Sequence, residues 1–302
     1  MADGAESSRD HPTRPGMSVR TVVRRFGAEP AEVLDEVATE EPLEIRVSNR
    51  GDVLATPVSV TLRTPGHDFE LAAGFVLSEG IASDASEIHS LRYCTLPEEE
   101  QQFNVVNVDL EGGRPVDLDA LRRNVYTTSS CGICGRATLD RVRLRGLRAP
   151  PGELRFDAEM LRRAPARMIE HQPLFARTGG VHATALVNPD GTIRLVREDV
   201  GRHNAFDKVV GALALGRALP AHRSAAIISG RVGFELVQKA LIAGIPLVAG
   251  VGAPTHLAVS LAREFNLTLV GFLRPGSFNV YSAPERLRDA EHVVPIASAP
   301  TR

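Results

Sequence analysis

An alternation of short apolar runs with helix-like segments in the last third of the chain limits the fold more than any other feature. The apolar runs cover 225–229, 246–249 and 267–272, and segments of helical length and pattern, 234–243 and 255–265, lie between them. Helical crossovers of this kind join parallel strands and cover both faces of the sheet. We therefore predict an α/β fold with a largely parallel sheet.

Other segments predict hairpins and helices around this unit. Two pairs of runs alternate with period two across turn-forming residues, which is the pattern of β-hairpins: 43–47 with 58–62, and 183–187 with 192–196. A helix is predicted at 69–78, with Asp68 as its N-cap, and another at 204–215. A further strand is predicted at 103–110.

The size and composition of the chain allow a substantial core and more than one structural unit. Its 302 residues are 43% hydrophobic and 24% charged, which is typical of a globular protein that needs neither disulfides nor metal to fold. We divide the chain into a disordered tail (1–17), a smaller mixed α+β domain (18–110), a mobile loop region (111–152), a C-terminal α/β domain (153–285) and a second tail (286–302).

The charge and the apolar pattern give no sign of a nucleic-acid or membrane partner. The formal net charge is −2, and no apolar run approaches the roughly 20 residues that a membrane-spanning helix needs. Because the polar first 17 residues do not form a secretory signal, we expect a cytoplasmic protein whose thiols stay reduced.

The segment TTSSCGICG at 127–135 carries a Cys-x-x-Cys pair, Cys131 and Cys134. Such a pair can bind zinc, cycle as a dithiol or carry sulfur as a persulfide. A structural zinc site needs four ligands, and His182 or His203 would have to complete it, since Cys94 is the only other cysteine. A thioredoxin-like role is disfavoured, because no apolar strand precedes the pair.

Sulfur carriage suits the surroundings of the pair. Gly132 and Gly135 give the chain freedom at low steric cost, which a loop that swings between two proteins requires. Nearby cations favour the nucleophilic thiolate, and six arginines lie close in sequence: Arg122, Arg123, Arg136, Arg141, Arg143 and Arg145. A solvated helical face is the alternative explanation of these arginines.

Three glycine-containing junctions follow the three predicted parallel strands. Gly230 and Arg231 follow the first strand, residues 250–255 follow the second, and the third leads into Phe272, Leu273, Arg274, Pro275, Gly276 and Ser277. Open α/β sheets bind ligands at the carboxyl ends of their strands, and arginine binds phosphate in a bidentate way. Ordinary turn chemistry explains one junction, but three together predict a phosphate-bearing ligand.

Polar residues also crowd two neighbouring stretches of an otherwise apolar region. Gly180 and His182 lie in the first stretch, and the second runs from 197 to 208. Asp199 is a candidate N-cap of the helix that follows, and His203 and Asp207 share a helical face. The two stretches form either part of a buried core or one wall of a binding pocket.

These segments together resemble the FdhD/NarQ family. The resemblance runs over roughly 44–282, and five segments carry it: TTSSCGICG, RTGGVHATAL, REDVGRHNAFDKVVG, SGRVGFELVQKA and GAPTHLAVSLAREFNLTLVGFLRPGSFNVYS. Members of this family support formate dehydrogenases, so the resemblance implies a sulfur carrier. Sulfur would come from a cysteine desulfurase and pass to the molybdenum cofactor, Mo-bis(molybdopterin guanine dinucleotide), before that cofactor enters the catalytic subunit of formate dehydrogenase.

The resemblance also implies residue roles and a fold. Cys131 matches the persulfide carrier of the family, Cys134 matches its second cysteine, and 272–277 match the cofactor-binding stretch. The implied fold is a cytidine deaminase-like three-layer α/β/α domain, and the implied assembly is a homodimer. Deaminase chemistry is not carried over, because the zinc-binding His-x-Glu and Pro-Cys-x-x-Cys signature is missing: Thr184 and Ser130 stand at its Glu and Pro positions.

We expect no permanently bound metal, and a molybdenum cofactor or GDP-like ligand on the C-terminal junctions. The alternative hypothesis is a cofactor-binding chaperone that is not an enzyme and whose Cys-x-x-Cys pair is structural or binds zinc.

Overall fold

The computed structural model describes residues 14–94, 103–112 and 148–288. Cys131, Cys134 and most of the predicted loop region lie outside these residues, so the predictions for them stay predictions. The described fold continues through Arg288, past the predicted start of the C-terminal tail at 286. No helix in the three described ranges is long and apolar enough to cross a membrane.

The larger sheet has six strands in the order β13-β12-β11-β10-β8-β9. These are β8 (His182–Val187), β9 (Ile193–Asp199), β10 (Ala225–Ile228), β11 (Leu247–Gly250), β12 (Thr268–Gly271) and β13 (Asn279–Ser282). Only β10, β11 and β12 pair in parallel, whereas β8 and β13 run antiparallel to their neighbours. The prediction of a largely parallel sheet was too broad, because the β8–β9 hairpin joins the same sheet beside β10.

Helices cover both faces of this sheet. On one face, alternate strand residues such as Ile228 and Val248 pack with α4 (Arg202–Leu215), α5 (Phe234–Ile242) and α6 (His256–Glu264). On the other face, residues such as Ile227 and Ala249 pack with α2 (Ala158–Ile169). Successive side chains of a strand point to opposite faces of the sheet, and so they reach opposite helix layers. The mixed α/β class is confirmed, and likeness to cytidine deaminase stays a prediction.

The smaller sheet has four strands in the order β4-β3-β6-β5. The predicted hairpin is confirmed as β3 (Glu41–Asn49) and β4 (Thr56–Arg63), and the predicted third strand as β6 (Val105–Leu110). β5 (Ile88–Tyr93) was not predicted. The helix that follows the hairpin is α1 (Asp68–Ser78).

The predicted N-cap role of Asp68 is wrong. The N-cap of α1 is His67, which has φ 57 and forms no side-chain cap. Asp68 instead accepts a hydrogen bond at 3.0 Å from the fully buried Arg63 Nε. A buried guanidinium needs an anionic partner, and that requirement took precedence over capping.

The sequence patterns also missed two helices and two small ribbons. Pro173–Thr178 forms α3, and α2 lies ahead of it, both in a region without a predicted element. The ribbons pair β1 (Ser18–Arg25) with β2 (Ala31–Ala38), and β7 (Phe156–Asp157) with β14 (Leu287–Arg288). Charged residues interrupt the apolar pattern of β1 and β2, which conceals their strand character.

Glycines bring α1 and α4 into backbone contact where the two parts of the chain meet. A Cβ on Gly74 would lie 1.9 Å from Asp207 O, and one on Gly211 would lie 1.7 Å from Glu70 O. One apolar core continues from the smaller sheet across these helices to the larger sheet. The positions of the predicted domain boundaries stay predictions.

We expect Gly211→Ala to destabilise the protein by about 1–3 kcal/mol or more, because the methyl group forces two backbones apart. The free energy of unfolding in urea measures this. Gly27→Ala is the matched control, since no atom lies within 4 Å of its added Cβ. Equal stability of the two variants would contradict the close crossing of α1 and α4.

Candidate functional site

The three glycine-containing junctions meet at one edge of the larger sheet. Gly252 N donates to Gly230 O at 2.9 Å, which joins the junctions after β10 and β11. Phe272 N donates to Gly252 O at 3.1 Å, and Leu273 N donates to Gly250 O at 3.0 Å, which adds the junction after β12. Neighbouring parallel strands end side by side, and this register brings the predicted Gly230, Leu273 and the residues around them together.

Two of these glycines are required by close packing between loops. A Cβ on Gly250 would lie 2.5 Å from Val232 Cγ2, and one on Gly252 would lie 2.8 Å from the backbone nitrogen of Arg231. Gly276 is different, because nothing lies within 4 Å of its Cβ position. The first two glycines therefore serve packing, and the space beside Gly276 is open.

Two exposed arginines lie on this edge. Arg274 Nη1 donates to Val251 O at 2.7 Å and to Leu273 O at 3.0 Å, which anchors the guanidinium over the second junction. Arg231 forms no ion pair with another described residue. A guanidinium has five N–H donors, so both side chains can donate to an anionic ligand.

Phe272 combines exposure with an unusual backbone. Its side chain is 44% exposed, although large apolar residues are usually buried. Its φ of 52 lies in the left-handed region, which costs a non-glycine residue about 1–2 kcal/mol. Such strain is often retained at ligand sites, and an exposed aromatic ring offers a stacking surface for a base. Pro275 and Ser277 are also exposed on this segment.

His182, at the start of β8, lies against the first junction. A Cβ on Gly230 would lie 3.3 Å from His182 Cε1, and His182 Nδ1 lies 3.3 Å from Ser229 Oγ. Burial lowers the pKa of His182, and the charges of Arg202 and His203 lower it further. The imidazole is therefore neutral at pH 7 and can both donate and accept a proton.

Gly180 lies on the other side of His182, away from the described contacts of the junctions. It is exposed, its nitrogen donates to Thr178 Oγ1 at 3.2 Å, and its Cβ position lies 3.6 Å from Ala38 on β2. The structure thus places Gly180 beside the β1–β2 ribbon.

Asp199 does not have the predicted capping role. The N-cap of α4 is Gly201, without a side-chain cap. Asp199 Oδ1 accepts from Gly201 N at 2.8 Å and from Asn204 Nδ2 at 3.0 Å, and Oδ2 accepts from Thr64 N at 3.2 Å. Lys208 Nζ lies 2.7 Å from Oδ2, and both side chains are fully buried. Asp199 therefore holds β4, β9 and α4 together.

The predicted shared face of His203 and Asp207 borders a cavity of about 430 Å³. His203 Nε2 lies 2.8 Å from Glu235 Oε2, and Lys239 Nζ lies 2.7 Å from Asp207 Oδ1. The hydrogen bond with His203 lowers the pKa of Glu235. Opposite these ion pairs lie apolar residues of the first 80 residues of the chain, such as Ile45, Val58 and Leu71. The sequence patterns missed the cavity, because its walls come from distant parts of the chain.

Among residues 14–94, 103–112 and 148–288, no group of three or more His, Cys, Asp and Glu side chains could hold a metal ion. Cys94 is partly buried. The predicted persulfide cysteines, Cys131 and Cys134, lie outside these ranges.

Comparison with known proteins gives consistent family matches. The model of the FdhD/NarQ family matches residues 38–288. The sulfur carrier protein FdhD of Streptomyces avermitilis is 47% identical over 259 residues, which cover 84% of this chain and 89% of that protein. The protein of the same name from Mycobacterium tuberculosis is 46% identical over 260 residues, which cover 84% of this chain and 92% of that protein.

A solved structure has the same fold. The crystal structure described as that of a formate dehydrogenase accessory protein from Desulfotalea psychrophila has a TM-score of 0.70 to this chain. The two sequences are 26% identical, and the match covers 90% of this chain and all of the other. The resemblance read from the sequence is confirmed: the chain belongs to the FdhD/NarQ family.

Proposed function

We propose that this protein is a sulfurtransferase that supports formate dehydrogenase by carrying sulfur on Cys131 to a molybdenum cofactor. The cofactor would bind at the junction edge, the edge of the larger sheet where the junctions at Gly230, Gly252 and Phe272 meet. Its curated relatives are named as sulfur carriers, and they match most of its length. The observation that carries the ligand part of the proposal is the hydrogen-bonded meeting of the junctions at Gly230, Gly252 and Phe272.

The thiol step requires only Cys131 and a persulfide donor. The Cys131 thiolate attacks the terminal sulfur of a cysteine desulfurase persulfide, a new S–S bond forms, and the desulfurase cysteine leaves as a thiolate. The rate of this exchange depends on the thiolate fraction and on access. Cys134, separated from the carrier by two residues, assists by holding or releasing the sulfur.

The residues of the junction edge fit a nucleotide-bearing acceptor. Mo-bis(molybdopterin guanine dinucleotide), the substrate of the transfer, has phosphates that suit Arg231 and Arg274, and guanine bases that can stack on Phe272. Both guanidinium groups are exposed, and so is the aromatic ring. The neutral His182 beside Gly230 adds one hydrogen-bond donor without a repelling or competing charge.

The proposal includes partners and a place in the cell. The protein would act in the cytoplasm as a homodimer between a cysteine desulfurase and the catalytic subunit of formate dehydrogenase. Both complexes would be transient, because a carrier must bind and release its two partner proteins in turn.

A cofactor-binding chaperone with zinc at Cys131 and Cys134 is the second candidate. The chaperone would bind its cofactor at the same junction edge, so only the chemistry of the thiol pair distinguishes the chaperone from the sulfur carrier. Metal analysis of the purified protein tests it: one tightly bound zinc per chain would favour the chaperone and oppose sulfur carriage.

We expect Cys131→Ala to abolish activation of formate dehydrogenase, because the thiolate that accepts sulfur from the desulfurase is lost. The measurement is enzyme activity in a strain that lacks its native copy of the carrier. Incubation with a cysteine desulfurase and cysteine should add one sulfur to the mass of the wild-type protein and none to that of the variant. Full activation by Cys131→Ala would contradict the carrier mechanism.

Two further variants serve as controls for this experiment. Cys94→Ala should keep the activity, because Cys94 lies outside the Cys-x-x-Cys pair. Cys134→Ala should reduce activation less than Cys131→Ala does, or leave a loaded protein that discharges slowly.

We expect GDP to raise the melting temperature, because a ligand that binds only the folded state stabilises it. Arg274→Ala should weaken GDP binding about tenfold or more, the typical effect of losing a charge-assisted hydrogen bond. Sulfur loading of Cys131 should not change. Calorimetric titration measures the affinity.

Arg223→Ala is the matched control for this variant. Arg223 is also exposed, but it precedes β10 and so lies at the other end of the strand. No stabilisation of the wild type at millimolar GDP would count against the nucleotide site.

A further inference from the structure

The polar side chains at the start of α4 differ in whether they have hydrogen-bond or ion-pair partners within the protein. Four of the five have strong internal partners. His203 pairs with Glu235, and Asp207 pairs with Lys239. Asn204 Nδ2 donates to Leu62 O at 2.8 Å, and Lys208 Nζ donates to Thr64 O at 2.9 Å. These four side chains therefore form contacts that stabilise the fold.

Arg202 is the exception in this stretch. Its Nε is buried, yet no acceptor among the described residues takes its hydrogen. Its guanidinium also forms no ion pair within the described part of the chain. Buried donors are almost always satisfied in native proteins, and a charged one is the most costly to leave unpaired. Arg202 as a whole is partly buried, and this one nitrogen lacks a partner among the described residues, which points to an acceptor beyond them.

The charges around Arg202 favour an anion. Its positive charge and that of His203 both act on His182 and lower the pKa of its imidazole, whereas Asp199 acts in the opposite direction. Asp199 is already paired with the buried Lys208, and the carboxylate of Glu235 with His203. Arg202 forms no direct ion pair with either carboxylate, although its charge acts on Glu235 and helps to lower the pKa of that carboxyl.

The start of α4 adds to this preference. The helix runs for 14 residues from Arg202, and its N-cap, Gly201, supplies no side-chain acceptor. The amino end of a helix carries a partial positive charge and free N–H groups, which suit phosphate oxygens. Arg202 lies in the first turn, where this effect is greatest.

We propose that Arg202 is an anion-binding residue that receives a phosphate group of the bound nucleotide, with His182 as a further hydrogen-bond donor at the same edge. This inference rests on the proposed function, and it assigns part of the phosphate recognition to the start of α4. His182 lies between the junction at Gly230 and the start of α4. It is packed against Gly230, and the charge of Arg202 lowers the pKa of its imidazole. The recognised chemistry is a phosphate ester or a pyrophosphate, bound by the guanidinium fork.

The test compares Arg202→Gln with Arg223→Gln, using GDP and inorganic pyrophosphate as probes in calorimetric titrations. We expect the Arg202 variant to bind both probes about tenfold more weakly or worse, because a charge-assisted hydrogen bond is lost. The Arg223 variant should bind like the wild type. If Arg202→Gln does not fold, Arg202→Lys replaces it: weaker binding supports the inference, and unchanged binding overturns it.

A second readout separates binding from a structural role. A bound phosphate should raise the pKa of His182, because a nearby anion favours the imidazolium. NMR titration of the imidazole should show this shift with pyrophosphate in the wild type but not in Arg202→Gln. A shift of the same size in both proteins would overturn the inference.

The outcomes also distinguish this inference from the proposed function. Tight GDP binding by both the wild type and Arg202→Gln would overturn the role of Arg202 and leave the nucleotide site intact. Pyrophosphate binding that depends on Arg202, without any GDP binding, would support Arg202 and contradict the guanine nucleotide. Binding of neither probe by the wild type would overturn both.

Discussion

The buried ion pair of Asp199 and Lys208 is the interaction on which the arrangement of the site depends. Both side chains are fully buried, and their atoms lie 2.7 Å apart. Removing two charges from water is costly, so such a pair persists only where further hydrogen bonds satisfy both groups. Here those bonds come from the backbone of Thr64, Glu198 and Gly201. The pair therefore fixes the end of β4 and the end of β9 against the start of α4.

The position of the junction edge follows from this ion pair and from the order in which the strands of the larger sheet pair. β9 ends at Asp199 and β8 begins at His182, so their antiparallel pairing places the start of α4 beside His182. β8 in turn pairs with β10, which brings His182 to the junction at Gly230. Backbone bonds continue from Gly230 to Gly252 and from Gly252 to Phe272. This edge thus holds the groups of the proposed ligand site, from distant parts of the chain, in one hydrogen-bonded arrangement, as pre-organised sites require.

The close crossing of α1 and α4 joins this edge to the rest of the molecule. Because Gly74 and Gly211 lack side chains, the helices meet backbone to backbone and share one core with both sheets. The cavity between β4 and the two helices α4 and α5 lies at the same meeting place. Both parts of the chain therefore support the proposed site, although the glycine junctions all lie in the second part.

The sequence by itself determined the thiol pair, the family and many local elements, although it missed β5, α2, α3 and the two ribbons. The β–α alternation gave the three parallel strands, and alternating runs gave both hairpins, because these signals lie within one short segment. Tertiary structure decided the rest: that Asp68 meets Arg63 and does not cap, that β8 lies antiparallel to β10, and that Arg202 alone in its polar stretch keeps an unsatisfied donor. These outcomes depend on which groups become buried together, and local periodicity carries no such information, whether the partner lies 5 residues away, as Arg63 does from Asp68, or 135, as Thr64 does from Asp199.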